Sequence, residues 1–209
     1  ISGVVGRVID IADQIDLLEI SNCENYGAIS TTKESKTSND ILIAGILGYV
    51  VDNADLKCDN LKNYGPLSAY GVCKSLRLNG IFSYRFYING AKNWENAESA
   101  KITVDGATAK GINVSGLGGE WQGVVDNFAN HADITVTNVS GVKDINVSGL
   151  LCIGSNGKKS NLTNTGNLTI GDGMSFSGTT KVAGLIGDLN YTTSEAHLSN
   201  GYNYGAISV

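Results

Sequence analysis

One stretch, Ser21-Asn22-Cys23-Glu24-Asn25-Tyr26-Gly27-Ala28-Ile29-Ser30, recurs through the chain and constrains its fold more than any other feature. It returns as Asn60-Leu-Lys-Asn63-Tyr-Gly-Pro-Leu67-Ser68. With two residues inserted it returns as Asn93-Trp-Glu-Asn96 followed by Ile102-Thr103-Val104. Three further copies begin at Asn127, Asn161 and Asn200. First asparagines at 22, 60, 93, 127, 161 and 200 give steps of 38, 33, 34, 34 and 39 residues. A second motif alternates with the first, as in Ile43-Ala-Gly45-Ile-Leu-Gly48 and Val147-Ser-Gly149-Leu-Leu-Cys152. Its first glycine falls at 3, 45, 80, 116, 149 and 184. A period in this range marks stacked repeats, each too small to bury a core alone.

Within a unit the hydropathy alternates with period two, as at Leu18-Glu19-Ile20-Ser21 and Ile134-Thr135-Val136. Such runs, β-branched and broken by Gly and Asn, read as short strands. Three strands per unit predict an all-β chain, a right-handed parallel β-helix (solenoid) of about six coils, with residues 1–209 as a single β-helix domain. Val8 to Leu18 carries apolar residues at helical spacing and is the one candidate for a helical insertion. The columns support stacking: Cys23, Leu61, Trp94, Phe128, Leu162 and Gly201 occupy one position, and Val4, Ile46, Ile81, Leu117, Leu150 and Leu185 another. Asparagine tolerates left-handed backbone, and its amide both donates and accepts. Both Asn columns are therefore read as corners and as ladders of stacked amides. Gly27, Gly65, Gly166 and Gly205 complete those corners.

Composition agrees. The chain has 27 Gly and 1 Pro, as continuous hydrogen-bonded strands with tight turns require. The net charge of −5 argues against a nucleic-acid face. No apolar run reaches membrane-spanning length. The chain opens inside one motif and closes inside the other, so it is expected to be a piece of a longer surface protein with flanking domains. Cys23, Cys58, Cys73 and Cys152 fall in different columns, or at most meet across one coil, and are read as unpaired thiols.

The two alternating motifs resemble the GLUG-type repeats of bacterial surface proteins, with Ala-Gly or Ser-Gly standing where that family often has Gly-Gly. The resemblance implies a non-catalytic, extracellular module on a bacterial cell surface: an adhesin or stalk that binds a glycan or host protein. Two other classes stay open. One is a carbohydrate-active enzyme, lyase or glycosidase-like, since β-helices can host paired carboxylates. The other is a purely structural spacer.

Candidate chemistry is sparse. His131 and His197 are the only histidines, without a His-Glu-x-x-His pattern. No cofactor is implied. The acidic concentration Asp10, Asp13, Asp16, Asp52 and Asp55 is a weak Ca²⁺ candidate, because no EF-hand-type loop is present. Six Asn-x-Ser/Thr sequons, Asn113 and Asn146 among them, follow from the repeat. Tyr49 and Tyr84 share one motif position, with Trp121 nearly in register. Together with Arg85 and Glu120 they are the candidate ligand-binding flank, the rings offered to a sugar or peptide. The competing expectation is that these rings fill a wide coil from within.

Overall fold

The computed structural model describes residues 1–9, 18–51, 56–84, 87–190 and 197–209. The described residues form strands and turns only. They build a parallel β-solenoid of about five turns with three sheets. A six-stranded sheet contains Ile29–Ser30, Leu67–Val72, Ile102–Thr108, Ile134–Thr137, Leu168–Ile170 and Ile207–Ser208. A five-stranded sheet contains Ile41–Ala44, Ser75–Asn79, Gly111–Ser115, Asp144–Ser148 and Thr180–Ala183. The other 11 strands form two ladders that the long strand Gly118–Asn130 fuses into one sheet. Val8 and Ile9 lie in the strand Val5–Ile9, and Leu18 opens the strand Leu18–Asn25. The rest of the proposed helical insertion lies outside the described residues.

Register follows the motif. Cys23, Leu61, Trp94, Phe128, Leu162 and Gly201 pair in succession. Ser30, Ser68, Thr103, Thr135, Thr169 and Ser208 do the same on the six-stranded sheet. Each apolar side chain thus rests on its counterpart one coil away, as solenoid stability demands.

The two Asn columns, read alike from sequence, do different work. The first Asn of every copy has left-handed backbone, with φ of 53° at Asn22, Asn60 and Asn200 and up to 59° at Asn127. This residue resets the alternation of the strand. In Leu56–Asn63, Cys58 and Leu61 are both buried although they lie three residues apart. A regular strand would place them on opposite faces. The first column is largely solvent-facing, with amides bonded to Asn or Asp of the previous coil: Asn127 to Asn93 at 2.8 Å, Asn93 to Asp59 at 2.8 Å.

The second column is an unbroken ladder, buried from Asn25 to Asn164. Asn25 Nδ2 donates to Asn63 Oδ1 at 2.8 Å, Asn63 to Asn96 at 2.9 Å, and Asn96 to Asn130 at 2.9 Å. Asn130 donates to Asn164 at 2.8 Å, and Asn164 to Asn203 at 2.7 Å. The other Nδ2 hydrogen of Asn63, Asn130 and Asn164 caps a carbonyl two residues on, so the amide nitrogen is satisfied out of water. The second motif exists to make room for this ladder. A Cβ on Gly45 would lie 2.5 Å from Asn63 Cγ, and one on Gly149 would lie 2.6 Å from Asn164 Cγ. The corner glycine Gly65 is needed for approach rather than for φ: a Cβ there would lie 2.7 Å from the Gly27 carbonyl carbon. Either side of the seam lies an apolar column. One is shared by the five- and six-stranded sheets, and the other belongs to the largest sheet.

Substitution by glycine separates the two roles. Asn127→Gly keeps access to left-handed backbone and should change stability by less than about 1 kcal/mol. Asn130→Gly strands Asn96 Nδ2 and Asn164 Oδ1 and should cost about 2–4 kcal/mol. Equal denaturant midpoints for the two variants would refute this division.

One core column contains a cation. Cys58, Ala91 and Val125 are followed in register by Lys159, which is 0% exposed. Its ammonium donates to the carbonyls of Gly123 at 2.6 Å, Asn156 at 2.5 Å, Ser155 at 3.2 Å and Gly157 at 3.3 Å. Burial pulls its pKa from 10.5 down to about 8. Between those two values the unfolded chain holds the proton and the folded one releases it, so this site's contribution to stability rises with pH through that window. The stability of wild type relative to Lys159→Met should accordingly improve from pH 8 to pH 10. A pH-independent difference would show that the amine is hydrated.

Candidate binding groove

The five-stranded sheet and the neighbouring ladder of the largest sheet meet at the second motif. Their outer faces turn toward each other. Arg77 on the first sheet lies over the Tyr84 ring on the second, 3.9 Å from its centroid. Lys181 reaches Asp188 across the same corner at 2.5 Å. Each pair is seven residues apart, straddling the motif glycine. The corner is therefore concave, and a groove runs along it parallel to the solenoid axis.

One wall presents, in register, Leu42, Arg77, Asn113, Asn146 and Lys181. The other presents Arg7, Tyr49 and Tyr84, then Glu120, Ile153 and Asp188. Glu120 follows Gly118 by two residues, and Gly118 is the partner of Phe82, so Glu120 continues the Tyr84 position. At the far end a cavity of about 240 Å³ lies between Asn113, Asn146, Ile153, Lys181 and Asp188. Asn146 Nδ2 donates to the Cys152 carbonyl at 3.0 Å, while its Oδ1 is buried with no protein donor. That burial leaves the Asn146 sequon closed to modification.

The structure divides the five residues of the expected flank. Tyr49 and Tyr84 are half-buried and parallel, with centroids 5.6 Å apart and planes 8° apart. Glu120 joins them in the groove. Trp121 does not: it is 0% exposed, edge-on to Trp94 at 4.8 Å and Phe82 at 5.7 Å. The reason is parity. Trp121 stands five residues after its motif glycine, whereas Tyr49 and Tyr84 stand four after theirs, and one residue along a strand reverses the face. Trp121 instead belongs to an interior cluster in which Trp94 also stacks on Phe128 at 4.6 Å. Arg85 lies outside the described residues, as do Asp10, Asp13, Asp16, Asp52 and Asp55. Among the described residues no three His, Cys, Asp or Glu side chains gather as a metal site.

The two tyrosines do not offer their faces to a ligand as expected. Tyr84 is covered by the Tyr49 ring and the Arg77 guanidinium, and Arg7 lies 5.7 Å from the Tyr49 centroid. The result is a run of guanidinium, ring, ring and guanidinium. Arg7 and Arg77 were missed in the sequence, although a signal was present: the chain has only three arginines, at 7, 77 and 85. Neither Arg7 nor Arg77 forms an ion pair with a carboxylate among the described residues.

Nucleophile chemistry is muted. All four cysteines are free, and burial pushes Cys58 and Cys152 up to about 12, far from thiolate formation. His131 Nδ1 bonds Thr165 Oγ1 at 2.8 Å on a different corner. No family model, curated protein or solved structure matches the chain.

The opposite placement of neighbouring rings is measurable. Trp121→Ala empties part of the interior and should cost about 3–5 kcal/mol. Tyr84→Ala loses one half-exposed stacking partner and should cost about 1 kcal/mol. Urea midpoints in the reverse order would reverse the assignment.

Proposed function

We propose that this chain is a non-catalytic repeat module of a bacterial cell surface, related to GLUG-type repeat proteins, which acts as an adhesin or stalk and binds a glycan or host protein along the concave groove. The observation that carries this reading is the contrast between columns. Positions that hold the solenoid together repeat: Asn in the ladder, Gly beside it, aliphatic residues beneath. Positions that line the groove repeat only in part, as Tyr49 with Tyr84 and Asn113 with Asn146. Tyr49, Tyr84, Glu120, Ile153 and Asp188 are equivalent in register and chemically varied. A spacer needs only the repeating positions, whereas a recognition surface needs particular groups at particular heights. Parallel ladders on both walls hold those groups on rigid strands rather than loops. An extracellular location accords with the motif resemblance.

A screen of immobilised glycans and host extracellular proteins tests the reading. Wild type should bind a restricted set, and Tyr84→Ala combined with Asn113→Ala should lose at least about tenfold in affinity while staying folded, its thermal midpoint only about 2–4 °C lower. Equal binding by the two proteins would remove the groove from consideration. Shortening of a bound polysaccharide during incubation would reassign the chain to the carbohydrate-active enzymes.

A further inference from the structure

We infer that the groove selects an acidic polysaccharide, a sugar chain bearing ring carboxylates, and that Arg77 with Arg7 is its carboxylate clamp. The inference rests on the groove as the binding site and adds the charge class of the ligand. It starts from an imbalance. The protein is acidic overall, with a net charge of −5, yet two of its three arginines stand at one end of this groove. Each lies beside a tyrosine ring, and among the described residues neither forms an ion pair with a carboxylate. Cation–π contact holds a guanidinium in place without consuming its N–H donors. A planar fork held in this way is preorganised for a bidentate acceptor, a carboxylate above all.

The rest of the groove decides between a sugar chain and an acidic peptide. The walls are interior strands of continuous parallel ladders, so their backbone groups are already bonded along the axis. A peptide laid in the groove finds no free sheet edge to satisfy its own backbone. Beyond the arginines the walls offer Asn113 and Glu120, a side-chain amide and a carboxylate suited to hydroxyls. The groove runs with the axis rather than ending in a closed pocket, as the interior of a polymer requires. The Tyr49 and Tyr84 faces are taken by each other and by the guanidinium, so the rings act as the mount for Arg77 and Arg7 and not as a platform for sugars.

Titration calorimetry with three probes tests the clamp: an oligogalacturonate, its fully methyl-esterified form, and polyglutamate. Oligogalacturonate should bind, with affinity falling as salt rises. The ester should bind at least about tenfold more weakly, and Arg77→Gln should weaken the acid form by about ten- to a hundredfold without moving the thermal midpoint. Equal affinity for acid and ester, or an unchanged Arg77→Gln, would overturn the inference. If Asn113→Ala still lowered affinity in that case, the groove would survive as the site and only its charge preference would fall. Polyglutamate binding as tightly as the sugar would replace the glycan with an acidic peptide. Absence of binding by all three probes would remove the clamp.

Discussion

The buried amide ladder is the interaction on which everything else in this molecule depends. An asparagine placed in an apolar interior without partners would cost more than most core contacts return. Stacked at one height per coil, each amide satisfies the next, and an interior polar group becomes tolerable because its neighbours repeat it. The requirement propagates outward. The ladder needs space, and that space is the column from Gly45 to Gly149. The glycines set where the five-stranded sheet turns into the largest sheet, and that turn makes the groove. A polar column in the middle of the solenoid therefore determines the shape of its surface.

Much of this was readable from the chain, because a repeat exposes its own columns. The parallel pairing, the inward position of Leu61, Trp94 and Phe128, and the existence of an Asn ladder followed from spacing alone. What escaped was whatever depends on an angle or a parity. Asn127 and Asn130 look alike in a repeat, yet one controls backbone handedness and the other is a buried hydrogen-bonding group. Only φ and burial distinguish them. Trp121 lies one residue out of phase with Tyr84, a small offset in an alignment and a reversal of face in a strand. Arg77 is seven residues from Tyr84, and nothing in their spacing announces that the intervening corner folds the two together. Lys159 occupies an apolar column with no sequence sign that four carbonyls surround its ammonium.

The architecture separates two demands that compact domains must often meet with the same residues. Stability resides in columns that run the length of the axis and are nearly uniform. Recognition resides in a lane where each coil contributes one residue per wall and is free to differ. A change at Glu120 or Ile153 alters the groove without touching the ladder, since neither side chain enters the interior. A single change in the ladder, by contrast, disturbs the coils on both sides of it. Solenoid energetics, built from neighbouring interfaces, give this separation a physical basis.

The direction of the amide bonds has an electrical consequence. In the buried column every Nδ2 donates toward the C-terminal coil, from Asn25 through to Asn164. In the first column the sense is reversed: Asn60 donates to Asn22, Asn127 to Asn93 and Asn200 to Asn161. Two rows of aligned dipoles thus run side by side in opposite senses, three residues apart along each strand. Either row alone would accumulate an axial potential as coils are added, as the peptide units of a long helix do. Opposed, they offset each other along the axis, and at Asp59 and Asp126 a carboxylate takes the acceptor's place in the first row and adds a full charge to it.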